Sequence, residues 1–223
     1  MMTSKFVPEY NGTLRSHSIT VPHCISKCSG IRIFGKRIKS VAFSTDVAII
    51  KNINADAIIA VYPFTPQPCI AQAIISVSDV PVFAGVGGGR TGGKRAVELA
   101  MQAEHQGAYG VVVNAPLDDA IIAQIKEVVD IPVIGTVVSE KMDISGRIAA
   151  GADILNVSAA AETPTLVRHI REAFPRIPII ATGGPTEESI LETIEAGANA
   201  ITYTPPSNGK LFAVSMEKYR NMF

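Results

Sequence analysis

The chain has no net charge: 20 basic residues balance 20 acidic ones over 223 residues, and the pI is near 6.9. That argues against a nucleic-acid or membrane-surface protein, which holds phosphates with a basic patch. Cysteine is scarce. Cys24, Cys28 and Cys69 make no disulfide framework, so a reducing cytoplasm is the expected compartment. No apolar run approaches the roughly 18 residues that cross a bilayer, and MMTSKFVPEYNGTL lacks the apolar segment of a signal peptide. Metal-ligand spacing is also missing. His23, Cys24 and Cys28 have no second ligand pair, so neither a metal nor a cofactor is expected.

What is present is apolar and repetitive. A hydrophobic content of 47% suffices for one sizeable core. The stretch IPIIATGGPTEESILETIEAGANAITYTPP, residues 177–206, reads as buried strand, glycine turn, amphipathic helix and second buried strand. Ile190, Leu191 and Ile194 lie at helical spacing, with Glu187 and Glu188 in the first turn where the helix dipole favours anions. The same plan recurs along the chain. Strands open after a proline at Pro81, Pro132 and Pro178, and others after a small residue at Ala55, Ala108, Ala152 and Ala198. Each series repeats roughly every fifty residues. Lys39–Thr45 supplies one more strand, and helices are expected near 46–53, 67–78, 93–106, 117–129, 141–150, 163–174, 186–197 and 209–221.

Strands alternating with helices imply right-handed crossovers and a parallel sheet. The expected fold is α/β, a (β/α)8 TIM barrel over residues 39–223, with residues 1–38 as a short strand or hairpin extension covering its floor. Ser18–Val21 and Gly30–Gly35 are the strand candidates in that extension. A doubly wound open sheet is the competitor, but it gives no reason for the regular period.

Strand alternation then sorts side chains by face. Ile58, Val111, Leu155, Val157, Ile201 and Tyr203 point to the helices, with Val82, Val133 and Ile179. Ile59, Val61, Val112, Asn114, Asn156, Ser158, Thr202 and Thr204 point inward, with Ser44, Thr136 and Thr182. The interior thus turns polar toward the C-terminal strand ends, where barrel enzymes keep their sites.

Ala181-Thr-Gly-Gly-Pro followed by Glu-Ala-Gly-Ala-Asn-Ala resembles the phosphate-binding end of aldolase-type barrels. It is similar above all to the 2-keto-3-deoxy-6-phosphogluconate aldolase group. Gly135-Thr-Val-Val-Ser-Glu and Ala150-Gly-Ala-Asp-Ile-Leu-Asn-Val-Ser-Ala-Ala extend the likeness upstream. The resemblance implies that Gly183 and Gly184 meet a substrate phosphate. The family's imine-forming lysine falls at Asn156, which has no primary amine, so Schiff-base aldol cleavage is not expected. After the last strand Thr204-Pro205-Pro206-Ser207 replaces a glycine turn. Proline offers no N–H, so Lys210 or Arg90 would complete an anion site.

Glu140 and Asp46 directly follow strands and are the candidates for moving protons, with helix capping as the alternative for Asp46. Asn156 joins them as a catalytic candidate. Ser44, Asn114, Ser158, Thr182, Thr204 and Arg90 are the substrate-binding candidates, and Gly183, Gly184 and Lys210 the phosphate-binding ones. His17, His23, His105 and His169 fall in the lead-in or on helices, so no Ser-His-Asp triad is expected. Gly85–Lys94 nearly scans as a nucleotide loop, but Arg95 stands where Ser or Thr would hold magnesium. A mobile lid, an anion nest or a plain surface loop suits it better. The expected function is an enzyme acting on a small phosphorylated metabolite by lyase, isomerase or hydrolase chemistry, with a non-catalytic metabolite-binding barrel as the alternative. A homo-oligomer is a further expectation, with Leu99, Met101, Ile121, Ile122 and Ile125 serving either core or interface.

Overall fold

The computed structural model describes residues 6–10, 12 and 19–222; His17 and Ser18 lie outside them. Eight parallel strands close a barrel: β3 (Ser40–Phe43), β4 (Ala57–Ala60), β5 (Val82–Gly87), β6 (Gly110–Val113), β7 (Val133–Val137), β8 (Ile154–Val157), β9 (Ile179–Thr182) and β10 (Ala200–Tyr203). β10 returns to pair with β3, Ile201 opposite Ser40, so no edge is left open. The helices between them are α1 (Val47–Lys51), α2 (Pro68–Val77), α3 (Gly93–His105), α4 (Asp119–Val128), α5 (Ile144–Ala149), α6 (Thr163–Ala173), α7 (Glu187–Glu195) and α8 (Asn208–Arg220).

The two faces of each strand feed different cores. Ile58, Val111, Val133, Leu155, Ile179 and Ile201 are buried against the helices. Val41, Ala57, Phe83, Val112, Ile134, Ile154, Ile180 and Ala200 fill the interior. Burying a side chain the size of Phe83 or Ile134 contributes about 1.5–3 kcal/mol, which is why this alternation fixes strand phase. Gly107, Gly151 and Gly197 end α3, α5 and α7 with positive φ of 95°, 110° and 113°. Left-handed backbone there turns the chain toward the next strand, so the recurring Gly-Ala pairs in the sequence are helix stops.

The floor carries the short hairpin extension that the sequence reading expects. An antiparallel hairpin forms from β1 (Ile31–Ile33) and β2 (Lys36–Ile38), turning through Phe34 and Gly35, both at positive φ. Residues 19–21 are no partner in it; Ile19 makes a single parallel bridge to Ile53. Ile31, Ile33 and Ile38 pack into the barrel's own interior cluster and close that end.

Three further features add to the sequence reading. α5 is shorter than the 141–150 span, beginning only after Asp143 caps Gly146. The glycine-rich segment carries a tight turn, with Gly88 and Thr91 exchanging N–H···O bonds of 2.8 and 3.3 Å. α8 buries none of its residues, leaving Phe212, Val214, Met216 and Tyr219 exposed. Ile122 and Ile125 are core, and Leu99 and Ile121 pack against the same cluster, so of that set only Met101 stays exposed.

Candidate functional site at the barrel mouth

At the C-terminal end the interior opens into a cavity of about 320 Å³. Its base is Ile59 and Val112, its wall Asn114, Thr136, Asn156, Ser158, Thr182 and Thr202, and its rim Phe43, Val61, Val138 and Thr204. Strand period explains the ring: all wall residues but Ser158 lie two positions beyond an interior apolar residue, as Asn114 follows Val112 and Thr202 follows Ala200, and Ser158 follows Asn156 by the same step. Part of the ring bonds to itself. Thr182 Oγ1 donates to Ser158 Oγ at 3.2 Å, and Asn156 Nδ2 donates to Thr136 Oγ1 at 3.3 Å. Thr202 does not join in. It is 8% exposed, and among the described residues its Oγ1 has no hydrogen-bond partner. Buried hydroxyls are normally satisfied, so an orphan in a concave site marks where a ligand atom would sit.

A larger cavity of about 660 Å³ lies by the lead-in and the foot of β3. Much of its polar lining is already matched: Asp56 Oδ2 accepts from the Lys39 and Ser40 N–H groups at 2.9 Å, and Asn54 Oδ1 from the Val21 N–H at 2.8 Å. The mouth is therefore the better candidate, despite its smaller size.

The structure gathers Asn114, Asn156, Ser158, Thr182 and Thr204 of the sequence candidates. It leaves the others outside the lining. Ser44 lies on the wrong face: Val41 and Phe43 face inward, and the Ser44 hydroxyl accepts from the Asp46 N–H at 3.2 Å. Asp46 is the N-cap of α1, its Oδ1 accepting from Ala48 and Ile49 N–H at 2.9 and 3.3 Å. Arg90 is exposed in the Gly88–Thr91 turn, and Lys210 is exposed in the first turn of α8.

The glycine turn is tighter than a phosphate cup. Gly183 N–H points to Thr202 O at 3.4 Å, continuing the β9–β10 ladder. Among the described residues no protein acceptor meets the Gly184 N–H. A Cβ at Gly183 would stand 2.7 Å from Ile201, so close packing alone requires glycine there. Thr186 and Ser189 cap α7 reciprocally. The Glu188 carboxyl is held below its ordinary range by its own backbone N–H and then by the Thr186 hydroxyl. The start of α7 thus already carries an anion.

Glu140 lies in an adjoining cavity of about 430 Å³ with Ser139, Lys141, Glu162, Thr165 and His169; Val138 lines both spaces. Its Oε1 is 2.5 Å from His169 Nδ1. The sequence reading placed every histidine away from the mouth. His169 lies on α6, as expected, and reaches the loop that follows β7, beside the mouth and outside its lining.

No family model matches the chain. Two thiamine-phosphate synthases, from Geobacillus thermodenitrificans and Geobacillus kaustophilus, are 29% and 28% identical over 117 residues, 48% of this chain and 51% of theirs. The chain thus spans about half the length of the curated relatives it matches. Among solved structures, a 2,3-dimethylmalate lyase of the PEP mutase/isocitrate lyase superfamily is similar at TM-score 0.62 and 15% identity, covering 90% of this chain and 84% of that one. A phosphonomutase-like protein from Burkholderia cenocepacia gives TM-score 0.60 and 17% identity, covering 82% and 92%. A phosphonopyruvate hydrolase with oxalate and Mg2+ gives TM-score 0.59 and 15% identity, covering 84% and 82%. The fold these structures share with the chain is the (β/α)8 barrel. The specific likeness to 2-keto-3-deoxy-6-phosphogluconate aldolases is not borne out by these neighbours. The mouth residues do not suit such a divalent cation: the lining has amides and hydroxyls but no carboxylate, imidazole or thiol.

Proposed function

We propose that the barrel is an enzyme for a small phosphorylated metabolite, bound at the C-terminal mouth and converted by lyase, isomerase or hydrolase chemistry through proton transfer. The orphaned Thr202 hydroxyl in a concave, partly self-bonded ring is the observation that carries this reading. The neighbours support it, since their names include a mutase, a lyase and a hydrolase, and the curated relatives make a thiamine phosphate.

In this reading Asn114, Asn156, Ser158, Thr182 and Thr204 orient the substrate. Asn156 cannot form an imine, so proton movement falls to Glu140. Paired to His169 Nδ1, Glu140 fixes the ring so that Nε2 is left to accept or return a proton. Gly184, Arg90 and Lys210 remain for the phosphate at the rim. Asp46, engaged as a cap, takes no part.

A screen for turnover of phosphorylated keto acids and sugar phosphates tests the proposal. Activity should fall about 100-fold or more in both Glu140→Gln and His169→Gln. One observation favours a second reading, a non-catalytic metabolite-binding barrel: among the described residues no ionisable side chain lines the mouth itself. Saturable binding without turnover, insensitive to Glu140→Gln, would decide for it.

A further inference from the structure

The polar lining of the mouth consists of Asn114, Thr136, Asn156, Ser158, Thr182, Thr202 and, at its rim, Thr204, every one of them neutral. Amides and hydroxyls supply donors and acceptors together, which suits a partner that also has both. A group with a full charge would leave water for a place offering neutral partners alone, and such desolvation is poorly offset. Strong anion sites use cations or converging N–H groups. Here the Gly183 N–H is turned to Thr202 O, and α7 is capped by its own Thr186 and Ser189.

From this chemistry we infer that the part of the ligand received by the mouth is uncharged: a hydroxyl- and carbonyl-bearing carbon chain of the kind found in small ketoses and aldoses. The inference rests on the mouth being the ligand site proposed above, and it names the class of group that enters. Ile59 and Val112 at the base take the C–H faces of such a chain. Thr202, 8% exposed and without a partner among the described residues, supplies a hydrogen bond that is otherwise unmade. The 3.2 and 3.3 Å bonds of Thr182 to Ser158 and Asn156 to Thr136 are long, and ligand hydroxyls can replace them. A phosphate carried by the ligand stays at the rim, toward solvent.

The test titrates the isotope-labelled full chain with dihydroxyacetone, dihydroxyacetone phosphate and inorganic phosphate in separate samples, beside Thr202→Val. Dihydroxyacetone should move the backbone signals of Thr202 and Asn156, inorganic phosphate should move neither, and Thr202→Val should weaken dihydroxyacetone binding about fivefold. The variant should melt no lower than the parent, since the hydroxyl it removes has no partner; a structural hydroxyl would give a lower midpoint. Movement of those signals by inorganic phosphate, or silence toward dihydroxyacetone, overturns the inference. Dihydroxyacetone binding in a protein that turns over nothing ends the catalytic reading and leaves this one standing. Turnover of a phosphorylated substrate in a protein whose mouth responds to inorganic phosphate does the reverse.

Discussion

Single residues decide how the mouth is shaped. Gly88 has φ of 109°, and a Cβ there would lie 2.4 Å from Asn114 Cβ. Both the backbone and the neighbour forbid a side chain, so Gly88→Ala must displace Asn114 from the lining. Chemical denaturation should show a loss of about 1–3 kcal/mol, accompanied by weaker ligand binding at the mouth. Unchanged binding in that variant would remove Asn114 from the ligand contacts. Cys28 acts at the other end. It is 2% exposed, and burial pushes its thiol up from 9.0 to about 11. An unfolded chain loses that proton near the ordinary value, whereas the folded chain keeps it. The stability contribution is therefore intact below pH 9 and is lost as pH rises toward 11. Urea midpoints measured across that window should fall, and the fall should be shallower in Cys28→Ala.

The same scale shows where the sequence was readable. Asn114, Asn156, Ser158, Thr182 and Thr204 line the mouth as strand alternation requires, because their strands have unambiguous apolar neighbours. Ser44 failed since β3 offers weak phase information: Ser40 is only 4% exposed, held by its N–H to Asp56, and Val41 and Ala42 are both buried. The Glu140–His169 pair was not legible at all. It joins a loop to a helix across two βα units, and no local period links such positions.

Among elements, the repeat made most boundaries legible, because glycine stops and proline starts punctuate it. Capping settled the rest. Asp46, Asp143, Thr186 and Ser207 each accept from a helix N–H, which is where α1, α5, α7 and α8 begin. The N-terminal hairpin was legible as a short extension, but its exact pairing was not, because its two strands are only three residues each. α8 lies where a helix was expected, and of its residues only Leu211 packs against a core cluster, and partly. Removing residues 209–222 should therefore lower the thermal midpoint by no more than about 4 °C, the shift that 1 kcal/mol gives a chain of this size. A larger drop would mean that α8 shields the β10–β3 seam more than its exposure indicates.

For the whole molecule, topology was the most legible property and chemistry the least. Eight strand-and-helix modules leave few ways to close, whereas the substrate depends on which few side chains converge. That convergence is set by strand stagger and loop course. Among the described residues no helix is long and apolar enough to cross a membrane, and no group of three or more His, Cys, Asp and Glu side chains is arranged to hold a metal.

The hairpin has one last consequence. With Ile31, Ile33 and Ile38 wedged beneath the strands, the tube is a cul-de-sac. Whatever enters between Asn114 and Thr204 must back out the way it came, so an outgoing molecule and an incoming one can never pass. Any compound released there will compete with the next arrival for a single doorway.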